Sequence, residues 1–318
     1  MENKRNNFQS NDITTRGHKP RVVIVTGTTA SGKTKLAIEL AKQLDTDIIS
    51  ADSRQIYRGI PITTAVPSLD EQDGIAHHLL EFLELNEYYS AAQFAADAKN
   101  LITEAADRGK KYVIICGGSM MYIDALMYGL DDLPEISAEV RDKVRRLHSD
   151  LGLEGLLAFL EVSDPDYYNI VDKANTKRVM HALEITMEAG VPYSTLRTGT
   201  KQTQDFDCVK FAISHPREVL FDRINRRVDE MVKSGMEEEA RRVFPYRHLN
   251  SLNTVGFKEW FAHFDGLMDR HTAIERIKKN TRVYAKKQLT WLKKDMNVHW
   301  VPGNNAFAEI MAELRQKA

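Results

Sequence analysis

Short apolar runs recur along the chain and alternate with segments of helical periodicity. The first run, RVVIVTG from Arg21, is rich in β-branched residues, ends in glycine and leads into a helical pattern over 33–44. A second helical pattern spans about 90–108. Further apolar runs begin at Asp47, Lys110, Val209 and Val298. Strands that alternate with helices favour an α/β fold with a doubly wound parallel sheet, whose ligand crevice lies beyond the carboxyl ends of the strands.

The pattern changes between about Glu135 and Gly190, where helical periodicity continues without strands and the helices carry charged faces. We therefore predict a helical subdomain at 135–190, inserted into a core domain formed by 20–134 and 191–318. The first 19 residues are polar and lack an apolar segment, which predicts a disordered tail rather than a signal peptide.

The composition is that of a globular cytoplasmic protein. Apolar residues make up 42% and charged residues 28% of the 318 residues, and no run of 18 apolar residues predicts a membrane span. Cys116 and Cys208 lie far apart within apolar runs, which favours buried thiols in a reducing compartment over a disulfide or a zinc site. We expect a monomer with no membrane partner.

Charge is balanced overall but unevenly distributed. The chain has 44 basic and 45 acidic residues. Between Leu69 and Asp107 there are nine acidic residues and one basic, whereas between Arg270 and Lys294 there are nine basic residues and one acidic. The basic segment is compatible with a surface that binds a polyanion, and equally with solvated helix faces.

The segment GTTASGKT fits the phosphate-binding pattern G-x-x-x-x-G-K-[ST] and lies between a predicted strand and a predicted helix. Its glycines allow backbone amides to surround an anion at a helix N-terminus. Lys33 adds a positive charge, and Thr34 offers a hydroxyl to Mg²⁺. The predicted phosphate site consists of Gly27, Thr28, Thr29, Ala30, Ser31, Gly32, Lys33 and Thr34.

Proteins with such a loop are most often nucleotide hydrolases or kinases, which usually carry a second strand that ends in a metal-binding aspartate. Here the strand KYVIIC leads into Gly117-Gly118-Ser119 without an acid. The acid follows the second strand instead, as Asp52 in DSRQIYRG. Asp52 has two interpretations: the cap of a helix or an Asx turn, or a carboxylate near the phosphate site that accepts a proton from a nucleophile.

Seven segments stand in the order and spacing of a known family: GTTASGKT, DSRQIYRGIPITTA, HHLLEFL, GGSMMYIDAL, KRVMHALE, TVGFKEW and RVYAKKQLTWLK. Over about Arg21 to Pro302 the chain resembles the bacterial tRNA dimethylallyltransferases (tRNA isopentenyltransferases). These enzymes attach a five-carbon isoprenoid to the exocyclic amine of the adenosine just 3′ of the anticodon.

The resemblance implies that the phosphate loop holds the diphosphate of dimethylallyl diphosphate, which leaves as the adenine amine attacks the allylic carbon. Asp52 becomes the expected general base, and Ser119 stands where the family has threonine. Lys33 and Thr34 complete the implied catalytic group, with Mg²⁺ neutralising the diphosphate. Arg223 matches a family arginine that we expect at the diphosphate; the alternative is a surface arginine.

The resemblance also implies a tRNA partner. The inserted lobe at 135–190 corresponds to the part of the family fold that grips the anticodon arm, and the basic run through Arg282 and Lys293 becomes a candidate for contact with the phosphate backbone. The implied tRNA-binding residues are Asp52, Ser53, Arg54, Gln55, Ser119, Arg141, Lys177, Arg178, His181, Lys286 and Lys287.

Several positions depart from the family pattern: Thr28 replaces proline, Thr63 glycine, Val66 lysine, Glu81 aspartate and His181 arginine. At His181 we expect a weaker or pH-dependent phosphate contact.

Three alternatives remain open at this point. The first alternative is a small-molecule or nucleoside kinase that uses ATP. The second is a tRNA-binding protein with a vestigial phosphate loop, and the third is an adenylyl isoprenoid transferase. The intact Lys33, Thr34 and Asp52 disfavour the second, and the basic C-terminal helices disfavour the third.

Overall fold

A computed structural model of the chain describes residues 20–199 and 204–316. The tail predicted at 1–19 lies outside the described residues. The strands of the described chain are β1 (Arg21–Gly27), β2 (Ile48–Ser50), β3 (His77–His78), β4 (Tyr112–Cys116), β5 (Asp207–Ser214) and β6 (Val298–Pro302).

The helices of the N-terminal part are α1 (Lys33–Leu44), α2 (Pro61–Thr64), α3 (Leu69–Gln72), α4 (Ala91–Asp107) and α5 (Met120–Tyr128). They are followed by α6 (Ala138–Ser163), α7 (Pro165–Ile170), α8 (Thr176–Ala189) and α9 (Tyr193–Leu196). The C-terminal helices are α10 (Arg217–Lys233), α11 (Met236–Val243), α12 (Phe257–Phe264), α13 (Arg270–Leu292) and α14 (Ala306–Gln316), with 3-10 turns at Phe244–Tyr246 and Asn250–Leu252.

All six strands form one parallel sheet in the order β3-β2-β4-β1-β5-β6. This confirms the predicted α/β class with a parallel sheet. The strand β3 was not predicted, because two histidines are too short and too polar to form an apolar run. Parallel pairing brings the ends of β1, β2, β4 and β5 to the same edge of the sheet, where the loops that follow them lie together.

The sheet is covered on both faces, and β1 shows why. Its side chains alternate, so Val23 and Val25 pack into a core that includes Leu40 of α1 and Ile310 of α14. Val22 and Ile24 point to the other face, into a core formed with α4 and α5. Helices on both faces explain why the strands are continuous apolar runs rather than alternating patterns.

The C-terminal helices α10 to α13 enclose a further core around Phe257 and Trp260. Helix α10 buries Leu220, Ile224 and Val228, which lie four residues apart on one face.

The described residues divide into two compact units, one formed by 20–127 with 204–316 and the other by 128–199. The second unit contains α6 to α9 and is wider than the insertion predicted at 135–190. The difference arises because α9 packs onto the preceding helices: the rings of Tyr167 and Tyr193 lie 4.9 Å apart. The fully buried Asp164 caps α7 and accepts hydrogen bonds from the backbone and the hydroxyl of Ser194, at 2.7 and 2.6 Å.

Cys116 and Cys208 are free thiols, the first buried and the second partly buried. Burial raises the pKa of Cys116 to about 11 and that of Cys208 to about 12. Among the described helices, none combines the length and the apolar character needed to cross a membrane.

The ends of β2 and β4 approach each other closely at Gly117. A Cβ atom on Gly117 would lie 2.1 Å from the carbonyl oxygen of Ala51, the residue before Asp52. The same carbonyl accepts a hydrogen bond from the backbone of Ser119 at 3.1 Å. Glycine at 117 therefore holds the loop that carries Asp52 against the turn that carries Ser119.

We predict that Gly117→Ala lowers the free energy of unfolding by about 3 kcal/mol, because the added methyl meets backbone atoms that cannot move aside. Urea denaturation measures this loss. Gly109→Ala is the control: Gly109 has φ +74° and no atom within 4 Å of an added Cβ. It should lose only about 1 kcal/mol, from backbone strain. Equal losses in the two variants would contradict the close contact.

Candidate active site

The phosphate-binding loop connects β1 to α1 and has the conformation of an anion site. Gly27 and Gly32 have φ values of +147° and +93°, and a Cβ on Gly27 would lie 2.9 Å from the Ser31 hydroxyl oxygen. Ala30 also has a positive φ, of 60°. Gly32 is the N-cap residue of α1, so the loop ends at the positive end of the helix dipole.

Lys33 lies inside the site. Its Nζ donates a hydrogen bond to the carbonyl oxygen of Thr28 at 2.8 Å. Burial lowers the pKa of Lys33, and the nearby Arg227 acts in the same direction, while the Asp52 carboxylate opposes both. A bound anion would stabilise this ammonium group.

Helix α10 contributes two arginines. Arg223, predicted from the sequence, donates from Nε to the carbonyl oxygen of Ala30 at 2.8 Å. Arg227, one turn later, is not among the predicted site residues, although its spacing from Arg223 was the signal that could have found it. Burial lowers the pKa of Arg227 and the Asp52 carboxylate acts against that change. The loop thus faces three cationic side chains.

A cavity of about 410 Å³ adjoins the loop, and we call it the loop cavity. It brings together predicted residues that are distant in sequence, including Lys33, Thr34 and Asp52, and it adds Arg227. A cavity of this size, lined by polar and charged groups, has the dimensions of a small-molecule site.

Asp52 forms an Asx turn and also lies at the loop cavity, so the two interpretations drawn from the sequence do not exclude each other. Its Oδ1 accepts a hydrogen bond from the backbone of Arg54 at 2.9 Å, which is an Asx turn. The residue nevertheless lines the loop cavity. Ser119 lies beside the same turn, where its Oγ accepts from the backbone N–H of Ser53 at 2.8 Å and donates to the Ser53 hydroxyl at 3.1 Å.

Arg54 and Gln55, predicted as tRNA contacts, hold neighbouring loops in this structure. The Arg54 guanidinium donates to the carbonyl oxygens of Asn250 and Ser251, at 2.9 and 3.1 Å. The Gln55 amide donates to the carbonyl oxygens of Thr64 and Ala65, at 3.2 and 2.8 Å.

Gln288 of α13 was missed by the sequence analysis. This buried side chain accepts a hydrogen bond from the backbone N–H of Thr29 at 2.9 Å and donates to the carbonyl oxygen of Gly118 at 3.1 Å. An uncharged amide in a helix of basic residues was the available signal. A phosphate oxygen that binds the Thr29 amide must displace the carbonyl oxygen of Gln288.

A second cavity, of about 450 Å³, shares four residues with the loop cavity: Ser53, Arg54, Tyr284 and Gln288. We call it the aromatic cavity, because Tyr57, Tyr88, Tyr89, Tyr122, Tyr284 and Trp291 line it. Ser119 and Lys287 also belong to it. The two cavities therefore adjoin, one lined by the phosphate loop and the other by the turn that carries Ser119.

The neighbouring lysines of α13 face different cavities. Lys287 lines the aromatic cavity, whereas Lys286 and Lys293 line a third cavity of about 660 Å³, the basic groove. The basic groove also contains His215, Arg217, Phe221 and Trp300. Lys286 Nζ lies 5.6 Å from the centre of the Phe221 ring. Arg282 is engaged by a hydrogen bond to Asn225.

The remaining predicted residues lie on the helical unit. Arg141 is on α6, and Lys177, Arg178 and His181 are on α8. Lys177, Arg178 and His181 are exposed. The His181 side chain is 48% exposed, and the burial of its remaining surface lowers its pKa, which the charge of Arg141 lowers further. His181 is therefore neutral at neutral pH and lacks the positive charge of the arginine it replaces.

The model of the IPP transferase family matches residues 55–295. The chain is 45% identical over 284 residues to "tRNA dimethylallyltransferase 2" of Azobacteroides pseudotrichonymphae, covering 89% of this chain and 92% of that protein. It is also 45% identical over 281 residues to "tRNA dimethylallyltransferase 1" of Bacteroides thetaiotaomicron, covering 88% and 91%.

The chain belongs to the IPP transferase family.

Solved structures agree with this assignment. The tRNA isopentenylpyrophosphate transferase of Bacillus halodurans has a TM-score of 0.69 and 34% identity, with 94% of this chain and 97% of that chain covered. A eukaryotic dimethylallyltransferase that acts on tRNA has a TM-score of 0.76 and 25% identity, covering 89% and 74%. The family membership that the seven sequence segments predicted is confirmed, and the chain is an enzyme of this transferase family.

We predict that Lys33→Met raises the melting temperature of the ligand-free protein by about 2 °C or more, because it removes a partly buried charge that desolvation destabilises. The cost of that charge is fully present below the folded pKa and is relieved as the pH rises towards the unfolded pKa. The difference between the variant and the natural protein should therefore shrink towards pH 10.

The control for this experiment is Lys35→Met, on the exposed face of the same helix. It should change the melting temperature little at any pH. Inorganic diphosphate should raise the melting temperature of the natural protein and of the control, but not that of Lys33→Met. A destabilised Lys33→Met variant would contradict the argument from burial.

Proposed function

We propose that the chain transfers the dimethylallyl group of dimethylallyl diphosphate to the exocyclic amine of the adenosine 3′-adjacent to the anticodon in tRNA, with release of diphosphate. The observation that carries the proposal is the adjoining pair of cavities, because a bisubstrate transfer needs an anion site next to an acceptor site. The names of the curated relatives, all tRNA dimethylallyltransferases, support it.

The diphosphate is proposed to bind the loop from Gly27 to Thr34. This loop lies before the segment matched by the family model, so its role is argued from geometry. Lys33, Arg223 and Arg227 surround it with positive charge. Such charge stabilises the negative charge that develops on diphosphate as the allylic carbon–oxygen bond breaks.

Mg²⁺ is part of the proposal, and the donor set fits it. Thr34 offers a hydroxyl in the loop cavity, and diphosphate oxygens would supply further oxygen ligands. Among the residues that the structure describes, no group of three His, Cys, Asp or Glu side chains could hold a metal ion by itself. This suits Mg²⁺, which commonly binds through one or two protein oxygens together with substrate phosphates. Bound Mg²⁺ would supply further neutralisation of the leaving group.

Asp52 is proposed as the general base. An aromatic amine is a weak nucleophile, so removal of its proton as the new bond forms lowers the barrier. The Asx turn with Arg54 fixes the position of the carboxylate at the cavity wall. Ser119, hydrogen-bonded to the neighbouring Ser53, is proposed to orient the amine through its hydroxyl.

The tRNA is proposed to reach the site through the aromatic cavity. A base in an anticodon loop must leave its stack to reach an enclosed reactive centre, and exposed aromatic and cationic side chains favour that state. Lys287, Arg54 and Ser119 line this entrance. Arg141, Lys177 and Arg178 of the helical unit are proposed to contact the anticodon arm, with the neutral His181 contributing less.

A transfer assay tests the proposal. The purified protein is incubated with unmodified tRNA, Mg²⁺ and labelled dimethylallyl diphosphate, and a parallel reaction contains ATP instead. We expect label in the RNA without ATP. Consumption of ATP and no label in the RNA would favour a kinase and would overturn the proposed reaction.

We predict that Asp52→Ala lowers turnover by about a hundredfold or more, the usual range for loss of a general base, while tRNA binding stays close to that of the natural protein. Single-turnover label transfer and a filter-binding assay measure the two quantities. Asp70→Ala, a change of an exposed acid on α3, is the matched control and should keep full activity. Full activity of Asp52→Ala would remove this carboxylate from the mechanism.

We also predict that Lys286→Ala and Lys287→Ala each weaken binding of all tRNAs alike and reduce the slope of log K against log salt by about 1, as loss of one phosphate contact does. Affinity measured between low and moderate salt gives the slope. Since the two lysines face different cavities, a change in only one variant would contradict the proposed contact of the other lysine. A changed preference among tRNAs would contradict a backbone contact.

A further inference from the structure

Four large apolar side chains at the aromatic cavity remain exposed. Tyr88 and Met121 are 65% and 63% exposed, and Tyr284 and Trp291 are each 45% exposed. All four line the same cavity, although they come from the loop before α4, from α5 and from α13. An exposed apolar patch of this kind is costly in water and commonly marks a binding surface.

Trp291 is held in place by a cluster of charged side chains from α5, from β5 and from the turn after α13. Its indole Nε1 donates to Asp124 Oδ2 at 2.9 Å. The other oxygen of Asp124 lies 3.4 Å from the Nζ of Lys210, which also pairs with Asp295 at 2.6 Å. Lys210 is only 2% exposed. The polar edge of the indole is therefore fixed while part of the ring remains open to solvent, so little side-chain freedom is lost when a ligand binds it.

The charges around the cavity indicate what covers the patch. Lys287 and Arg54 line the same cavity as Trp291. Aromatic faces interspersed with cations are the arrangement by which proteins bind unstacked single-stranded nucleic acid. The aromatic cavity also shares Arg54, Tyr284 and Gln288 with the loop cavity, so a nucleotide strand whose acceptor base lies where the two cavities meet leaves a neighbouring base at the aromatic cavity.

We propose that Trp291 is a stacking platform for a nucleotide next to the acceptor adenosine, so that the enzyme binds two unstacked bases of the RNA. The inference rests on the proposed function and adds a specificity-determining residue to it. Asp124 is a positioning residue, because it orients the indole through Nε1.

The test is a double-mutant cycle on RNA affinity. Anticodon stem-loop RNAs are made with all bases present, or with one abasic nucleotide on the 5′ or the 3′ side of the acceptor adenosine. With the complete RNA, Trp291→Ala should raise the Kd by about tenfold, within the range measured for loss of one base–aromatic stack. With the abasic RNA at the stacked position, the same substitution should leave Kd unchanged.

Tyr246→Ala is the control, because Tyr246 is an aromatic residue that is 54% exposed and lines none of the three cavities. It should give the same Kd as the natural protein on every RNA. Trp291→Phe, which keeps an aromatic face, should retain most of the affinity. The Kd for inorganic diphosphate should be unchanged in all three variants, which verifies that the loop cavity is intact.

Two results would overturn the inference. One is an equal loss for Trp291→Ala on complete and on both abasic RNAs, which indicates a contact with the RNA backbone or a structural effect. The other is no loss on any RNA, which leaves the patch to another partner. Because the cycle measures binding, its result is independent of the label-transfer assay. If the natural protein transfers label and Trp291→Ala binds RNA normally, only the stacking inference fails.

Discussion

The two hydrogen bonds of Gln288 tie helix α13 to two loops of the site, one after β1 and one after β4. A buried amide must satisfy both its donor and its acceptor groups. Gln288 does so by bonding the backbone of Thr29, after β1, and that of Gly118, after β4. The position of α13 along its axis is thereby set relative to both strands. Tyr284, Lys287 and Trp291, on the same helix, take their places at the cavities as a consequence.

The loop cavity concentrates positive charge. The ammonium of Lys33 donates a hydrogen bond to a backbone carbonyl and is attracted by Asp52, while burial lowers its pKa. Arg227 is in a similar position. Buried cations of this kind reduce folding stability and are retained where they bind something. The same charges that weaken the folded protein would, in the proposed reaction, favour the separation of diphosphate from an allylic carbon, so affinity and reactivity would have one physical origin.

Much of the sheet was predictable, because strand cores and the first helix are local patterns. The run from Arg21 and the helix at 33–44 correspond to β1 and α1. Loop glycines and the acid after β2 were also visible, since turn chemistry is local. The bond between Thr29 and Gln288 joins residues 259 positions apart, and no periodicity encodes it. The place of α9 in the helical unit likewise depends on long-range contacts, here the hydrogen bonds that Ser194 donates to the Asp164 carboxylate.

The two thiols have a practical consequence for studies in solution. Cys116 lies next to the loop cavity and Cys208 in β5, and burial raises the pKa of both far above neutrality. At pH 7 both are therefore protonated and poorly nucleophilic, so alkylating dyes react slowly with the folded chain. A single cysteine introduced at an exposed position would therefore react with a fluorophore much faster than the two natural thiols. Labelling of Cys116 and Cys208 would report the fraction of molecules in which unfolding has exposed these thiols to solvent.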